Sequence, residues 1–167
     1  MKACCFIGHR NTKGTPELCK RINETVISLI KEKEVKTFFF GSKSGFDDLC
    51  LKIVREIKKE HPEIKLIYVR SSFPHIEQFY REYLLSFYDD TFMPPKIENA
   101  GKASYIERNQ AMIDASDYCI FYYDKNYTPP LKDRRGKMLL GYQPKSGTTL
   151  AYDYATQKNK NIITLQI

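Results

Sequence analysis

Five short runs of nearly unbroken apolar residues alternate along the chain with segments whose apolar residues recur at helical spacing. The runs are residues 3–8 (ACCFIG), 35–41 (VKTFFFG), 64–69 (IKLIYV), 118–123 (YCIFYY) and 161–167 (NIITLQI). Runs of that length that are apolar on both faces belong to strands buried on both sides, which is the habit of parallel sheets covered by helices. The intervening segments supply the helices. Thr15 can cap and Pro16 suits a first helical position, ahead of Leu18, Ile22, Val26, Leu29 and Ile30. Residues 46–60 place Phe46, Leu49, Cys50, Ile53 and Ile57 on one face.

Residues 74–90 form an expected aromatic-rich helix, and the spacing of Phe79, Tyr80, Tyr83, Phe87 and Tyr88 favours packing into the core over stacking on bases. Residues 91–103 are expected as loop, and Ser104 with Glu107 forms an S-x-x-E capping box that predicts a helix over 104–116. A last helix is expected from Ser146. The pattern predicts a three-layer α/β/α domain over residues 1–167, with a mainly parallel sheet of about five strands and a basic loop insertion at 124–146.

Composition narrows the class. With 42% apolar residues in 167, the chain can bury a real core. No stretch approaches 18 uninterrupted apolar residues, and the start MKACCFIGHR leads into a strand rather than a secretory signal. The five cysteines, at 4, 5, 19, 50 and 119, make no C-x-x-C pair and no metal-like spacing with histidine. Reduced, buried thiols in a cytoplasmic protein are therefore expected, with no metal and no cofactor. The formal charge of +7 favours anionic partners. Much of it falls in the insertion, where Lys125, Lys132, Arg134, Arg135, Lys137 and Lys145 face Asp124 and Asp133.

In open parallel sheets, ligands sit outside the carboxyl ends of the strands, where the strand order reverses. The first strand is followed there by Gly8, His9 and Arg10, and the second by Gly41, Ser42, Lys43, Ser44 and Gly45. The insertion after the fourth strand ends in Lys145, Ser146, Gly147, Thr148 and Thr149. Each turn combines glycine with hydroxyls or cations, and two of them open helices, whose free N–H groups attract phosphate. Neither has Walker A or G-x-G-x-x-G spacing. Asp47 and Asp48, in the first turn after GSKSG, favour the helix dipole but compete with an anion. The GSKSGFD turn, with Phe46 and Asp47, is thus expected to grip a sugar or base edge, and KSGTT the phosphate. Asn109 shares a stripe with Tyr105, Met112 and Ile113 and needs a polar partner. Arg108 beside it can reach a phosphate or form a surface ion pair with Glu107 or Asp114.

Four stretches taken together, FIGHR, GSKSGFD, YIERNQAMIDASD and KSGTTLAYDYA, resemble the SLOG superfamily, and within it the YpsA-like branch. The likeness extends more distantly to the LOG phosphoribohydrolases and the DNA-processing protein DprA. It implies a Rossmann-like sheet that binds nucleotides or nucleotide-derived, ADP-ribose-like ligands. It implies ligand-binding roles for Gly8, His9 and Arg10, for Gly41, Gly45 and Asp47, for Arg108 and Asn109, and for Gly147 and Thr148. Relatives form dimers, so a homodimer is an expected assembly. The catalytic glutamate of the LOG enzymes falls at Ala151, which can neither take a proton nor stabilise an oxocarbenium-like sugar.

Three readings stand. The first is a module that senses or sequesters a nucleotide. The second is a nucleotide N-glycosidase or phosphoribohydrolase-like enzyme using Asp47, Asp124 or Asp153. The third is a DprA-type protein that binds single-stranded DNA through the basic insertion.

Overall fold

A computed structural model describes residues 1–124, 126, 127 and 145–165. Most of the expected basic insertion lies outside the described residues. The strands are β1 (Lys2–Gly8), β2 (Val35–Phe40), β3 (Lys65–Val69), β4 (Asp90–Phe92), β5 (Tyr118–Tyr122) and β6 (Asn161–Thr164). The helices are α1 (Pro16–Lys33), α2 (Gly45–Glu60), α3 (Gln78–Leu85), α4 (Lys102–Asp114) and α5 (Gly147–Gln157). All strand pairs are parallel, in the order β4-β3-β2-β1-β5-β6. The chain winds outward from β1 to β4, then returns to lay β5 on the other side of β1. The reversal therefore falls between β1 and β5.

Alternation along each strand divides the core in two. Cys4 and Phe6 of β1, with Phe38 and Phe40 of β2, face α1 and α2. Ala3, Cys5, Ile7 and Phe39 face α4 and α5. The triple phenylalanine run is thus one strand read on both faces, with the Phe6 ring 5.0 Å from Phe40 and 5.9 Å from Phe38. Each such buried ring stabilises the fold by about 1.5–3 kcal/mol. Thr15 caps α1 as expected, its hydroxyl accepting from the Leu18 N–H at 3.2 Å, and Pro16 opens the helix.

Three local expectations fail. Thr91 and Phe92, expected as loop, belong to β4, a short sixth strand added to the expected parallel sheet after the aromatic segment. At three residues it is too short to show a period, and only Thr91 in it is buried. The expected helix over 74–90 shrinks to the eight residues of α3, which buries Leu84 alone. Of the aromatics in the segment, Tyr88 does pack inward, its ring 5.8 Å from Phe40, but Phe79 is 82% exposed, and Tyr83 and Phe87 are exposed too. A short helix beside the sheet's edge has only one narrow face to bury, so helical spacing of the rings did not mean a core stripe. Nor is Ser104 an N-cap. Helix α4 begins two residues earlier, and the Ser104 hydroxyl donates to the Gly101 carbonyl at 2.7 Å. Glu107 still satisfies a stray backbone donor, accepting from the Asn99 N–H at 3.1 Å.

Candidate nucleotide site

In a parallel sheet the loops after β1, β2, β3 and β5 leave from one edge, and the helices that follow begin there. At the reversal point, His9 joins the two central strands. Its backbone N–H donates to the Tyr122 carbonyl at 3.3 Å, and its Nε2 accepts from the Asp124 N–H at 2.9 Å. The proton of the neutral ring must therefore sit on Nδ1. Burial pushes the imidazole pKa down, against the opposing pull of Asp124. The ring also lies 4.4 Å from that of Tyr127. His9 is thus a strut between β1 and the chain leaving β5.

Glycines at this edge make room for the chain itself. A Cβ on Gly8 would come 2.4 Å from Cδ1 of Phe46, which is fully buried with its ring stacked on Tyr122 at 5.6 Å. Phe46, expected in the GSKSGFD grip, therefore has its ring packed in the core. A Cβ on Gly45 would lie 2.8 Å from the Arg10 carbonyl, which accepts a 2.8 Å hydrogen bond from the Gly45 N–H. A Cβ on Gly41 would meet Met112 Sδ at 2.4 Å and Arg108 Nε at 2.7 Å. None of the three has a positive φ. Gly147 differs, since nothing lies within 4 Å of its added Cβ.

The GSKSGFD turn closes around Asp47. Ser44 caps α2, accepting from the Asp47 N–H at 3.2 Å, and its hydroxyl donates back to Asp47 Oδ2 at 2.8 Å. The Ser42 hydroxyl also donates to Oδ2, while the N–H groups of Gly41 and Ser42 approach Oδ1 at 3.4 and 3.5 Å. Burial raises the carboxyl pKa, and the two hydroxyls and the Arg108 charge oppose that rise. The chain's own carboxylate thus occupies the place an anion would take at the start of α2. Asp48 stays outside this network.

Arg108 crosses from α4 to lie against Gly41. It is only 6% exposed, with Nη2 and Nε donating to Asn109 Oδ1 at 3.0 and 3.3 Å and its guanidinium 5.5 Å from the Tyr105 ring centre. This meets the need of Asn109 for a partner. The expected surface ion pair does not form. Glu107 binds Asn99, and Asp114 pairs with Lys96 and accepts from the Tyr154 hydroxyl at 2.9 Å. Among the described residues Arg108 has no ion pair, and its Nη1 donates to nothing. Burial lowers its pKa and the nearby Asp47 charge raises it.

At the start of α5, Ser146 accepts from the Thr149 N–H at 3.1 Å, and the two hydroxyls lie 2.9 Å apart. Thr148 is buried, and Lys145 pairs with Asp153 at 2.6 Å. The fold therefore joins Gly8 to Phe46, Arg10 to Gly45, and Gly41 to both Asp47 and Arg108. Residues 145–149 share the sheet edge but make no described hydrogen bond to those groups. Arg70 was not foreseen. It directly follows β3, is 8% exposed, and its Nε is buried without a partner. Its position after a strand was the available signal.

One cleft of about 400 Å³ lies away from this edge, beside Glu24, Ser28 and Tyr118, and a second of similar size is lined by Phe39, Val69, Phe92 and Met112, of which Met112 adjoins Gly41. Among the described residues no group of three histidines, cysteines or acids could hold a metal ion, and no helix is long and apolar enough to cross a membrane. No curated protein matches the chain. A family model described as the YspA SLOG family matches residues 6–163, from within β1 to within β6, and takes in all of the loops just described. The chain belongs to the SLOG family, in its YpsA-like branch.

Proposed function

We propose that the protein binds a nucleotide or nucleotide-derived, ADP-ribose-like ligand at the carboxyl edge of its sheet, as a sensing or sequestering module. Membership of the family points to a nucleotide-related role. The observation that carries the finer reading is Arg108, a buried cation with no carboxylate partner among the described residues. Buried charges ordinarily come paired, because desolvation costs several kcal/mol per ion, of order. A phosphate oxygen is a natural counter-charge for the vacant Nη1. The open backbone at Gly147 and the free N–H groups at the start of α5 offer a second contact to the same phosphate. The sugar and base then run along the GSKSG turn toward Arg10.

Binding is favoured over bond cleavage by the state of the three candidate acids. Asp47 is held by Ser42 and Ser44, Asp153 by Lys145, and Asp124 Oδ1 accepts from the Asn126 N–H at 2.8 Å. Ala151 is buried in the core between α5 and the sheet, so its side chain does not face the edge. Mass spectrometry of material released from freshly purified, denatured protein tests this reading. A co-purifying nucleotide is expected. A thermal-shift panel of nucleotides should show stabilisation that Arg108→Ala and Thr148→Val both reduce. Equal shifts in parent and variants would misplace the site. Release of free base during incubation with nucleoside monophosphates would favour the glycosidase reading.

A further inference from the structure

Arg70 is the second buried arginine at this edge, and its surroundings differ from those of Arg108. Its backbone N–H donates to the Phe92 carbonyl at 2.8 Å, fixing it where β3 and β4 end. Its Nη1 donates to the Phe73 carbonyl. Phe73 holds a left-handed conformation at φ 59°, unusual for a bulky residue, and its ring is exposed. The Nε of Arg70 is sealed from solvent with no partner, and Nη2 donates to nothing among the described residues. No carboxylate pairs with it there either. With Nη1 spent on the Phe73 carbonyl and Nε enclosed, Nη2 is the donor of the guanidinium fork left to make a charge-assisted hydrogen bond to a phosphate oxygen. In Arg108, Nη2 and Nε are already spent on Asn109.

The two cations flank one strand end. Phe40 pairs with Tyr68, so Gly41, which Arg108 covers, and Arg70 leave neighbouring strands at the same edge. Burial raises the Tyr68 hydroxyl pKa and the Arg108 charge lowers it, while burial lowers the Arg70 pKa against the opposing effects of Tyr80 and Tyr68. No carboxylate forms an ion pair with either among the described residues: Asp47, whose charge favours Arg108, is held by its own turn, and Asp89 and Asp90 lie at the other end of the strands, with Asp89 on Lys58 at 2.6 Å.

The geometry points to Arg70 as a second anion-binding position, separate from Arg108, so that the ligand is a nucleotide carrying two phosphate groups at different places. This rests on the nucleotide reading above and names the class of ligand more closely. A nucleoside monophosphate would engage Arg108 and the start of α5 but leave Arg70 vacant.

The test is calorimetric titration of the whole protein with AMP, adenosine 3′,5′-bisphosphate and NADP, and with the guanosine mono- and bisphosphates. In the parent, at least one ligand with the additional phosphate should bind about tenfold more tightly than its monophosphate, a difference typical of one charge-assisted contact. Arg70→Gln should shrink that ratio to about threefold or less, and Arg70→Lys, which keeps the charge but loses the fork, should fall between. Arg108→Gln should instead weaken the monophosphate itself. A ratio in Arg70→Gln equal to that of the parent, or no gain from any additional phosphate, would overturn the assignment. If no nucleotide binds the parent, the reading of the whole site fails, and inorganic pyrophosphate then tests Arg70 alone. Binding by the parent that is lost in Arg70→Gln and weakened in Arg70→Lys would sustain it, and no binding, or binding undiminished in Arg70→Gln, would overturn it. Thermal unfolding of each variant separates loss of the contact from loss of the fold.

Discussion

Replacing Gly8 by alanine tests whether the glycines at the sheet edge serve the chain or a ligand. The new Cβ would lie 2.4, 2.5 and 2.7 Å from Cδ1, Cγ and Cβ of Phe46. Carbon atoms attract best at about 3.5–4.0 Å, so the overlap exceeds an ångström or so. Phe46 cannot retreat easily, because it is fully buried and Tyr122 stacks on it at 5.6 Å. Overpacking of this kind costs about 1–3 kcal/mol. Pushing the ring outward would also forfeit part of its burial, so a loss near the top of the range, about 3 kcal/mol, is expected. In a chain of this size each kcal/mol lowers Tm by about 2–4 °C, giving a drop of about 6–12 °C. Gly147→Ala is the matched control. Its Cβ meets nothing and its φ is not positive, so stability should stay within about 0.5 kcal/mol. Nucleotide binding, by contrast, should weaken, since the methyl group would occupy the open approach to α5. Thermal unfolding by circular dichroism, with urea titration as a check, reads both. A Gly8→Ala protein melting within about 2 °C of the parent would refute the packing argument.

Acid should destabilise the fold through His9. Its folded pKa lies below the ordinary 6.5, so the unfolded chain binds more protons between those two values, and stability falls as pH drops through that window. His9→Gln should flatten that part of the pH profile. Asp47 acts in the opposite sense: its raised pKa means stability is lost as pH rises from 3.8 through the folded value, so the difference between parent and His9→Gln is the quantity to measure. Arg108→Met should cost about 1–3 kcal/mol, because it leaves Asn109 Oδ1 without its donors and removes the charge that favours the buried Asp47 carboxylate, while nucleotide affinity falls about tenfold or more. Ser44→Ala removes the α2 cap and one of the donors to Asp47 and should cost about 2 kcal/mol by urea denaturation. Phe79→Ser, on the exposed side of α3, should change stability by about 0.5 kcal/mol or less.

The layers of the fold were legible because burial on both faces forces long apolar runs, and the FFF run is the clearest case. The start of α1 was legible because capping is local chemistry between Thr15 and its own helix. The errors share a cause. The exposure of Phe79 and Tyr83 depends on α3 lying at the sheet's edge, which no periodicity within the helix encodes. The glycines at 8, 41 and 45 stand out in the sequence as places for a ligand to approach, whereas in the structure the close neighbour of each is a distant segment of the chain itself: Phe46, Arg108 with Met112, and Arg10. Sequence spacing can say that something approaches a glycine without saying what. Arg70 went unnoticed for a related reason, since a lone arginine after a strand has no local partner pattern, and its burial is set by the chain around Phe73 and Phe92.

The central claim is that loops leaving neighbouring parallel strands share one anionic nucleotide. Amide chemical-shift mapping during titration with a nucleotide chosen from the thermal-shift panel tests it most directly. The account predicts perturbations grouped at residues 8–12, 41–47, 70, 108–109 and 146–149, all diminished at the same ligand concentration in Arg108→Met. Shifts grouped instead around Glu24, Ser28 and Tyr118, or surviving undiminished in Arg108→Met, would contradict it.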